Sequence, residues 1–528
     1  MCQNLYEVEG LLIFKSINRI VKLVRKLLFQ KLHINLPVIT VLLLLIFTVF
    51  IFKMVGKQQF GPTGWVRLGC DDYNTSFYPN AILSQTRYES WSKPETPKPL
   101  SQEKMNLKPF WDAEEISPEP FQLVGGVHKL NYNIRTCDLN SDGKLEIIVC
   151  AQGRTLILNS QGVFQYSIPY WFDVYVDEMR NIHTITCSLN IIRYSRNNQR
   201  KRNFRTKNLL VSAWLTRLYD FKNSNIEVIA VEKIITPTDS ENFLVSCYEL
   251  ETGQARWSYN FDLLPFISAI GDINQDDRNE IICTTFCPDK TYGEVVALSS
   301  SGRLIWQFEF NPQTDLTNQN YKVAAYTDAA IADLDGDKNF EVVAIFGTED
   351  GSLGRFGIVD GKTGKIIDQY PKHRYLRRSF TSLGIADLDY DGYLEIVTAT
   401  RGKTSRLYSF RLGSMGLELL ASKRYFPLTI RDPGKVSYRI WALSDIDNDN
   451  EIEILSSIVY EMPLSNDWAM RSSRFLEPSI IVLDGNLQEK DNIDLDERCL
   501  ALIVSSLTNS ESKNVLVLNN QLHLYGVQ

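Results

Sequence analysis

From Leu36 to Val55 the chain runs twenty mostly apolar residues whose only charge is Lys53 near the end. At about 1.5 Å per residue the run covers about 30 Å, the thickness of a bilayer's hydrocarbon, and it predicts one transmembrane helix. A buried soluble helix of that length would show a polar stripe somewhere in its turns. Just upstream, residues 10–32 set Leu12, Ile13, Ile17, Ile20, Val24, Leu27 and Leu28 on one helical face and cations on the other. That pattern fits a helix lying on anionic headgroups, a plain extension of the anchor, or a mitochondrial presequence. From Gly56 to Pro120 eight prolines and little periodicity predict an extended stalk. Beyond Phe121 the pattern changes to short β-branched runs separated by glycine turns. Residues 244–261, 294–310 and 357–370 alternate as hairpins do.

The same region repeats itself. Five segments place oxygen side chains at positions 1, 3, 5 and 9 and then enter a hydrophobic strand. They are Asp138, Asn140, Asp142 and Glu146; Asp272, Asn274, Asp276 and Glu280; Asp333, Asp335, Asp337 and Glu341; Asp387, Asp389, Asp391 and Glu395; and Asp445, Asp447, Asp449 and Glu453. Two further copies, Tyr219–Glu227 and Ser506–Asn514, keep the spacing without most of the acids. Seven repeats of about 58 residues fill Phe121 to Gln528. With roughly four strands each, they predict an all-β fold, a seven-bladed β-propeller. The last repeat has room for only two strands after its loop, so Phe121–Val127 is expected to supply the missing one and close the ring.

Charge then places the domains. The first 35 residues hold six basic and two acidic side chains, whereas the whole chain carries −7, which leaves −11 on the remainder. By the positive-inside bias residues 1–35 are a basic cytoplasmic tail, 36–55 an uncleaved signal anchor, 56–120 the stalk, and 121–528 a periplasmic or extracellular propeller. The acidic balance argues against nucleic acid as a partner. One local exception lies at 188–208, where Arg193, Arg196, Arg200, Lys201, Arg202, Arg205 and Lys207 stand without an acid. This stretch reads as an insertion that is either a solvated loop or a seat for an acidic glycan or headgroup.

Alternating oxygen ligands in a tight loop suit a hard cation with six to eight ligands, position 7 adding the backbone carbonyls of Lys144, Arg278, Asn339, Tyr393 and Glu451. Calcium, up to five ions, is the expected cofactor. An EF-hand would need a glutamate at position 12, where Val149, Cys283, Ala344, Thr398 and Ser456 stand, and a helix where each loop enters a strand. Magnesium's octahedral demand and zinc's nitrogen and sulfur ligands fit less well.

The loops resemble the FG-GAP or VCBS repeats of the integrin α-chain head and of bacterial surface proteins, with Glu where that family more often has Asp at position 9. The resemblance covers about three quarters of the chain. It implies calcium between the first two strands of a blade, on the face away from the ligand-binding loops, and a non-enzymatic recognition, adhesion or assembly module with a protein partner. The alternative is a propeller enzyme, a quinoprotein-like dehydrogenase or a polysaccharide lyase, because the stretches ending in Trp257 and Trp306 resemble quinoprotein repeats. Only two such tryptophans occur, and a packing role between blades is the expected one.

Overall fold

In the computed structural model the chain divides into two units, residues 1–61 and 62–528. The structure describes residues 107–112 and, apart from several connections, 133–527. The expected tail, transmembrane helix, Phe121–Val127 and all of the stalk except Leu107–Asp112 lie outside the described residues. Among the described residues every regular element is a strand, and no helix is long and apolar enough to cross a membrane.

The described strands form eight antiparallel four-stranded units, here called blades 1 to 8, where the repeat count had led us to expect seven. They cover residues 133–168, 173–205, 209–261, 264–310, 325–370, 379–423, 435–494 and 501–527. Blade 2 is the difference. Its strands Asp173–Val176, Ile182–Ile185, Asn190–Tyr194 and Arg200–Arg205 pair as a meander, so the basic stretch expected as an insertion supplies two strands of a blade. Only 177–181 joins its first two strands, which leaves no room for the acidic loop that marks the other repeats.

Blade 8 closes the ring. Its own three strands, Ala501–Ser505, Asn514–Leu518 and Leu522–Val527, gain a fourth from Leu107–Asp112, which pairs antiparallel with Leu522–Val527 from Leu107 opposite Val527 to Asp112 opposite His523. The closing strand therefore comes from the segment assigned to the stalk, and the propeller begins at or before Leu107 rather than at Phe121. Pro109 sits beside a register shift in this outermost strand, the kind of place where a missing N–H is tolerated.

First strands touch between blades 2 and 3, along the run of blades 4 to 8, and between blades 8 and 1. The cores lie between blades. Ile134, Ile147 and Val149 of blade 1 pack with Leu516, Leu522 and Leu524 of blade 8. Blade 5 packs through Val343 and Phe356 on Ile385 and Phe410 of blade 6, and blade 7 packs through Val482 on Val515 of blade 8. Second strands are covered on both faces, and all eight residues of Glu341–Thr348 are buried. This explains their unbroken β-branched runs. Fourth strands alternate instead, Ala255–Phe261 burying mainly one face.

Two tryptophans dock successive blades, as their spacing led us to expect. The Trp257 indole of blade 3 donates to the Ser300 carbonyl of blade 4 at 2.7 Å, and Trp306 of blade 4 donates to Gly361 of blade 5 at 2.6 Å. Each ring lies on a turn glycine of the next blade. A Cβ on Gly302, whose φ is +77°, would meet Trp257 at 2.4 Å, and one on Gly364 would meet Trp306 at 2.6 Å. A full backbone turn and a bare Cα are both required at these positions.

Ring closure by Leu107–Asp112 is testable by fragment length. A fragment beginning at residue 121 leaves the Leu522–Val527 edge bare and should melt lower and aggregate more than one beginning near residue 100. Equal melting curves for the two would show that the pairing contributes nothing.

Candidate metal centre

All five acidic loops join the first and second strands of a blade, and all are wound by their own amides. The position 7 N–H donates to the position 5 carboxylate in each, at 2.8 Å for Lys144 to Asp142, 2.9 Å for Arg278 to Asp276, 2.7 Å for Asn339 to Asp337, 2.9 Å for Tyr393 to Asp391 and 2.7 Å for Glu451 to Asp449. The position 6 N–H donates to the position 1 carboxylate, at 3.3 Å for Gly143 to Asp138, 2.9 Å for Asp277 to Asp272, 3.1 Å for Lys338 to Asp333 and 3.0 Å for Gly392 to Asp387. This winding needs a left-handed residue at position 6, where Gly143, Asp277, Lys338 and Gly392 have φ of 85°, 63°, 73° and 93°.

Position 9 has a second duty that sequence spacing did not reveal. The buried N–H of position 2 donates to its carboxylate in every acidic loop: Leu139 to Glu146 at 2.6 Å, Ile273 to Glu280 at 3.1 Å, and Leu334 to Glu341, Leu388 to Glu395 and Ile446 to Glu453 at 2.8 Å. In the two acid-poor loops position 9 is used in the same way, by the position 2 N–H of Leu507 to Asn514 at 3.3 Å and by the N–H of Leu218, the residue before Tyr219, to Glu227 at 3.1 Å. One oxygen of each glutamate is thereby committed to the fold, and the other faces the loop.

Three loops bring carboxylates together. Oxygens of Asp333, Asp335 and Glu341 lie within 4.8 Å of one another, as do those of Asp387, Asp389 and Glu395, and of Asp445, Asp447 and Glu453. Position 5, held by Asp337, Asp391 and Asp449, stands outside these sets and serves the winding of the loop. The Asp138 and Asp272 loops have Asn at position 3, and no such three-acid cluster forms there among the described residues. Asn140 turns its amide to Asp142 at 3.1 Å and Glu146 at 2.8 Å. Asn274 Oδ1 is buried without a hydrogen-bond partner among the described residues, as is Asp387 Oδ1. The orphaned Asn274 oxygen at position 3 of the blade 4 loop is what a loop built to hold a hard cation would show, so its donor set fits calcium.

Two clusters already contain a basic side chain. Arg411 lies 2.8 Å from Asp391 and 3.3 Å from Asp389 and pairs with Glu395. Lys490 lies 2.7 Å from Glu453, 3.1 Å from Asp449 and 3.6 Å from Asp447. Burial works against both charges, but the surrounding carboxylates hold both groups above their ordinary pKa. In blade 3, Arg256 pairs with the latch Glu227 at 3.0 Å. Nothing comparable pairs with Asp333, Asp335 or Glu341 among the described residues. The Lys362 ammonium donates to Asn339 of this loop at 2.8 Å.

Burial of the position 9 glutamates has a pH signature, and it lifts Glu395 and Glu453 to about 8 even beside Arg411 and Lys490. Burial, with Asp276 and Asp272 adding, pushes Glu280 up to about 8; burial also lifts Glu341 to about 8, with Asp335, Asp333 and Asp337 adding and the Leu334 amide opposing. Between the ordinary value of 4.5 and about 8 the folded chain therefore holds more protons than the unfolded one. Their stabilising share is complete below the lower value and is lost as pH rises through the upper one. In chelator, the melting temperature should fall from pH about 5 to about 8.5, and Glu341→Gln, neutral throughout, should make the fall shallower. An E341Q profile parallel to wild type would place the pH dependence elsewhere.

No protein-family model matches the sequence, and no curated protein matches it. Among solved structures the chain is similar to Sqt1 from Saccharomyces cerevisiae, with 11% identity over 76% of this chain and 98% of that one and a TM-score of 0.46. It is also similar to BamB from Moraxella catarrhalis, with 12% identity over 76% and 98% and a TM-score of 0.40, and to the Dos1 propeller, with 11% identity over 75% and 88% and a TM-score of 0.40. These likenesses are loose, and the propeller architecture stands on the strand pairing itself.

Proposed function

We propose that this chain is a membrane-tethered, calcium-stabilised β-propeller that acts as a recognition, adhesion or assembly module outside the membrane. The observation that carries the reading is the cluster of Asp333, Asp335 and Glu341, three converging carboxylates with no basic side chain paired to them among the described residues. A cation there would screen the carboxylates and tie the loop to the second strand of the blade. All of its donors are oxygens, the set that suits calcium. The residues around it are already engaged in winding the loop and latching the blade, which is structural work.

The likeness of the loops to FG-GAP and VCBS repeats supports a calcium face set apart from the partner face, the partner being a protein or an acidic glycan. The apolar run at 36–55 with its basic upstream tail supports a single-pass anchor, N-terminus in the cytoplasm and propeller periplasmic or extracellular. The enzyme alternative draws on the likeness of the stretches ending in Trp257 and Trp306 to quinoprotein repeats, and bound quinone or uronan cleavage by the purified ectodomain would favour it.

Chelation tests the calcium arm. With dissociation constants of about 0.1–1 mM and roughly 1 mM free ion, each site contributes about 0.4–1.4 kcal/mol. Chelator should lower the melting temperature, magnesium should restore little of it, and Asp335→Ala should reduce the calcium response by about one site's share. A melting curve indifferent to chelator defeats this arm. Orientation is checked separately: protease added to intact cells or spheroplasts should digest the propeller and spare residues 1–35, and the opposite pattern reverses the topology.

A further inference from the structure

The blades share a seat for a positive charge beside the position 9 acid. In each described hairpin between third and fourth strands the register slips by one residue, leaving a bulged residue on the fourth strand. Cys247 pairs with Trp257 and Tyr248 with Ala255, which bulges Arg256 in blade 3. Val482 pairs with Asp491 and Leu483 with Glu489, which bulges Lys490 in blade 7. Both bulged side chains reach the latch acid of their own blade, Glu227 and Glu453. A bulge re-aims one side chain out of the strand's alternation, and here it aims the side chain at the loop. By the same register the bulged residues are Gln165 in blade 1, Lys201 in blade 2, where no acidic loop stands beside it, Ile305 in blade 4, Ile367 in blade 5 and Leu420 in blade 6.

Blade 6 lacks a cation at the bulge but has one directly across the sheet, since Glu395 pairs in register with Arg411. In blade 5 the position across from Glu341 is another acid, Asp360. Blade 5 is thus without a cation at either position, whereas blades 3, 6 and 7 have one apiece. The Lys490 side chain is only 5% exposed, so its ammonium is built into the blade rather than resting on it.

We propose that Arg256, Arg411 and Lys490 are built-in replacements for a bound metal ion, so that external calcium is confined to the loops of blades 1, 4 and 5. The two acid-rich loops at Asp387–Glu395 and Asp445–Glu453 are then self-neutralised, and the chain takes three ions where its five loops suggest five. Arg411 reaches Asp389, Asp391 and Glu395. Lys490 reaches Asp447, Asp449 and Glu453. Either would meet a second cation with direct repulsion. Blade 3 fits the same rule from the other side: its loop has lost the acids of positions 1 and 3 but keeps Glu227, and Arg256 remains with it.

The inference rests on the calcium reading above, and swapped charges separate the two. In the full-length protein, Ile367→Lys should supply blade 5 with its own cation, lowering bound calcium by one ion and shrinking the gap between melting temperatures in calcium and in chelator by about a third. Lys490→Ile should do the reverse, adding one ion and widening the gap. Wild type holding five ions, or K490I with unchanged calcium content, overturns the inference and leaves the calcium reading standing. Wild type holding none defeats the calcium reading, and the I367K melt in chelator then decides the seat: a lysine that neutralises the cluster raises that melting temperature without metal, and one that lowers it or leaves it unchanged overturns the inference. Because I367K is a gain of charge at a 43% exposed position, its result does not depend on whether K490I folds.

Discussion

A loop that turns a blade's first strand into its second buries an amide that no strand can satisfy. In this chain that N–H, at position 2 in six loops and on Leu218 just before the loop in blade 3, finds its acceptor in the first residue of the following strand, which in all seven carries a side-chain oxygen able to reach back. A buried N–H left without an acceptor costs about 1–3 kcal/mol, so the acceptor is needed wherever such a loop occurs. Six of the seven acceptors are glutamates, and satisfying the amide that way places an anion in the blade end. The charge must then be offset, by a proton, by a basic side chain or by an ion from outside. The acidic positions 1, 3 and 5, the basic bulge residues and the raised pKa values of Glu280 and Glu341 all follow from this one buried amide.

Around the ring the same economy holds between blades. Second strands are buried on both faces by their neighbours, so each blade is stable only with another beside it. The tryptophan-on-glycine contacts extend this pairing from the core to the turns. A blade's outer hairpin is therefore shaped by the blade before it, and the left-handed glycine serves the turn and the neighbour's indole together.

Much of this was legible in the chain. The acidic loops announce themselves because ligand oxygens alternate over nine residues, a local pattern that distant contacts do not disturb. The left-handed position 6 could be anticipated at Gly143 and Gly392 and holds even at Asp277 and Lys338, where winding by the position 1 carboxylate overrides the preference against it. Blade 2 was hidden because its strands turn without an acidic loop and its last two strands carry a run of basic residues. The closing strand was hidden because Pro109 suggested a stalk, and only its partner near the C-terminus makes Leu107–Asp112 a strand. Arg256 and Lys490 lie three residues after a left-handed turn residue, Gly253 and Leu487, so a signal existed. Its meaning depends on a register slip that no periodicity records. Arg411 has not even that signal, since only cross-sheet pairing sets it opposite Glu395.

The closing strand also sets the order in which the molecule can be completed. Leu107–Asp112 is synthesised before any other described strand, yet its partner Leu522–Val527 is the last, and 410 residues separate Asp112 from Leu522. During synthesis the early strand has nothing to pair with, and every intervening blade must assemble as an open arc with an apolar face bare at the growing end. Closing so long a loop costs only about 0.6 kcal/mol more for each doubling of its length, so the delay rather than the entropy is the hazard. A nascent chain in that interval presents an unpaired edge to its neighbours, and the emergence of Leu522–Val527 becomes the moment at which the ring either shuts on its own first strand or captures another's.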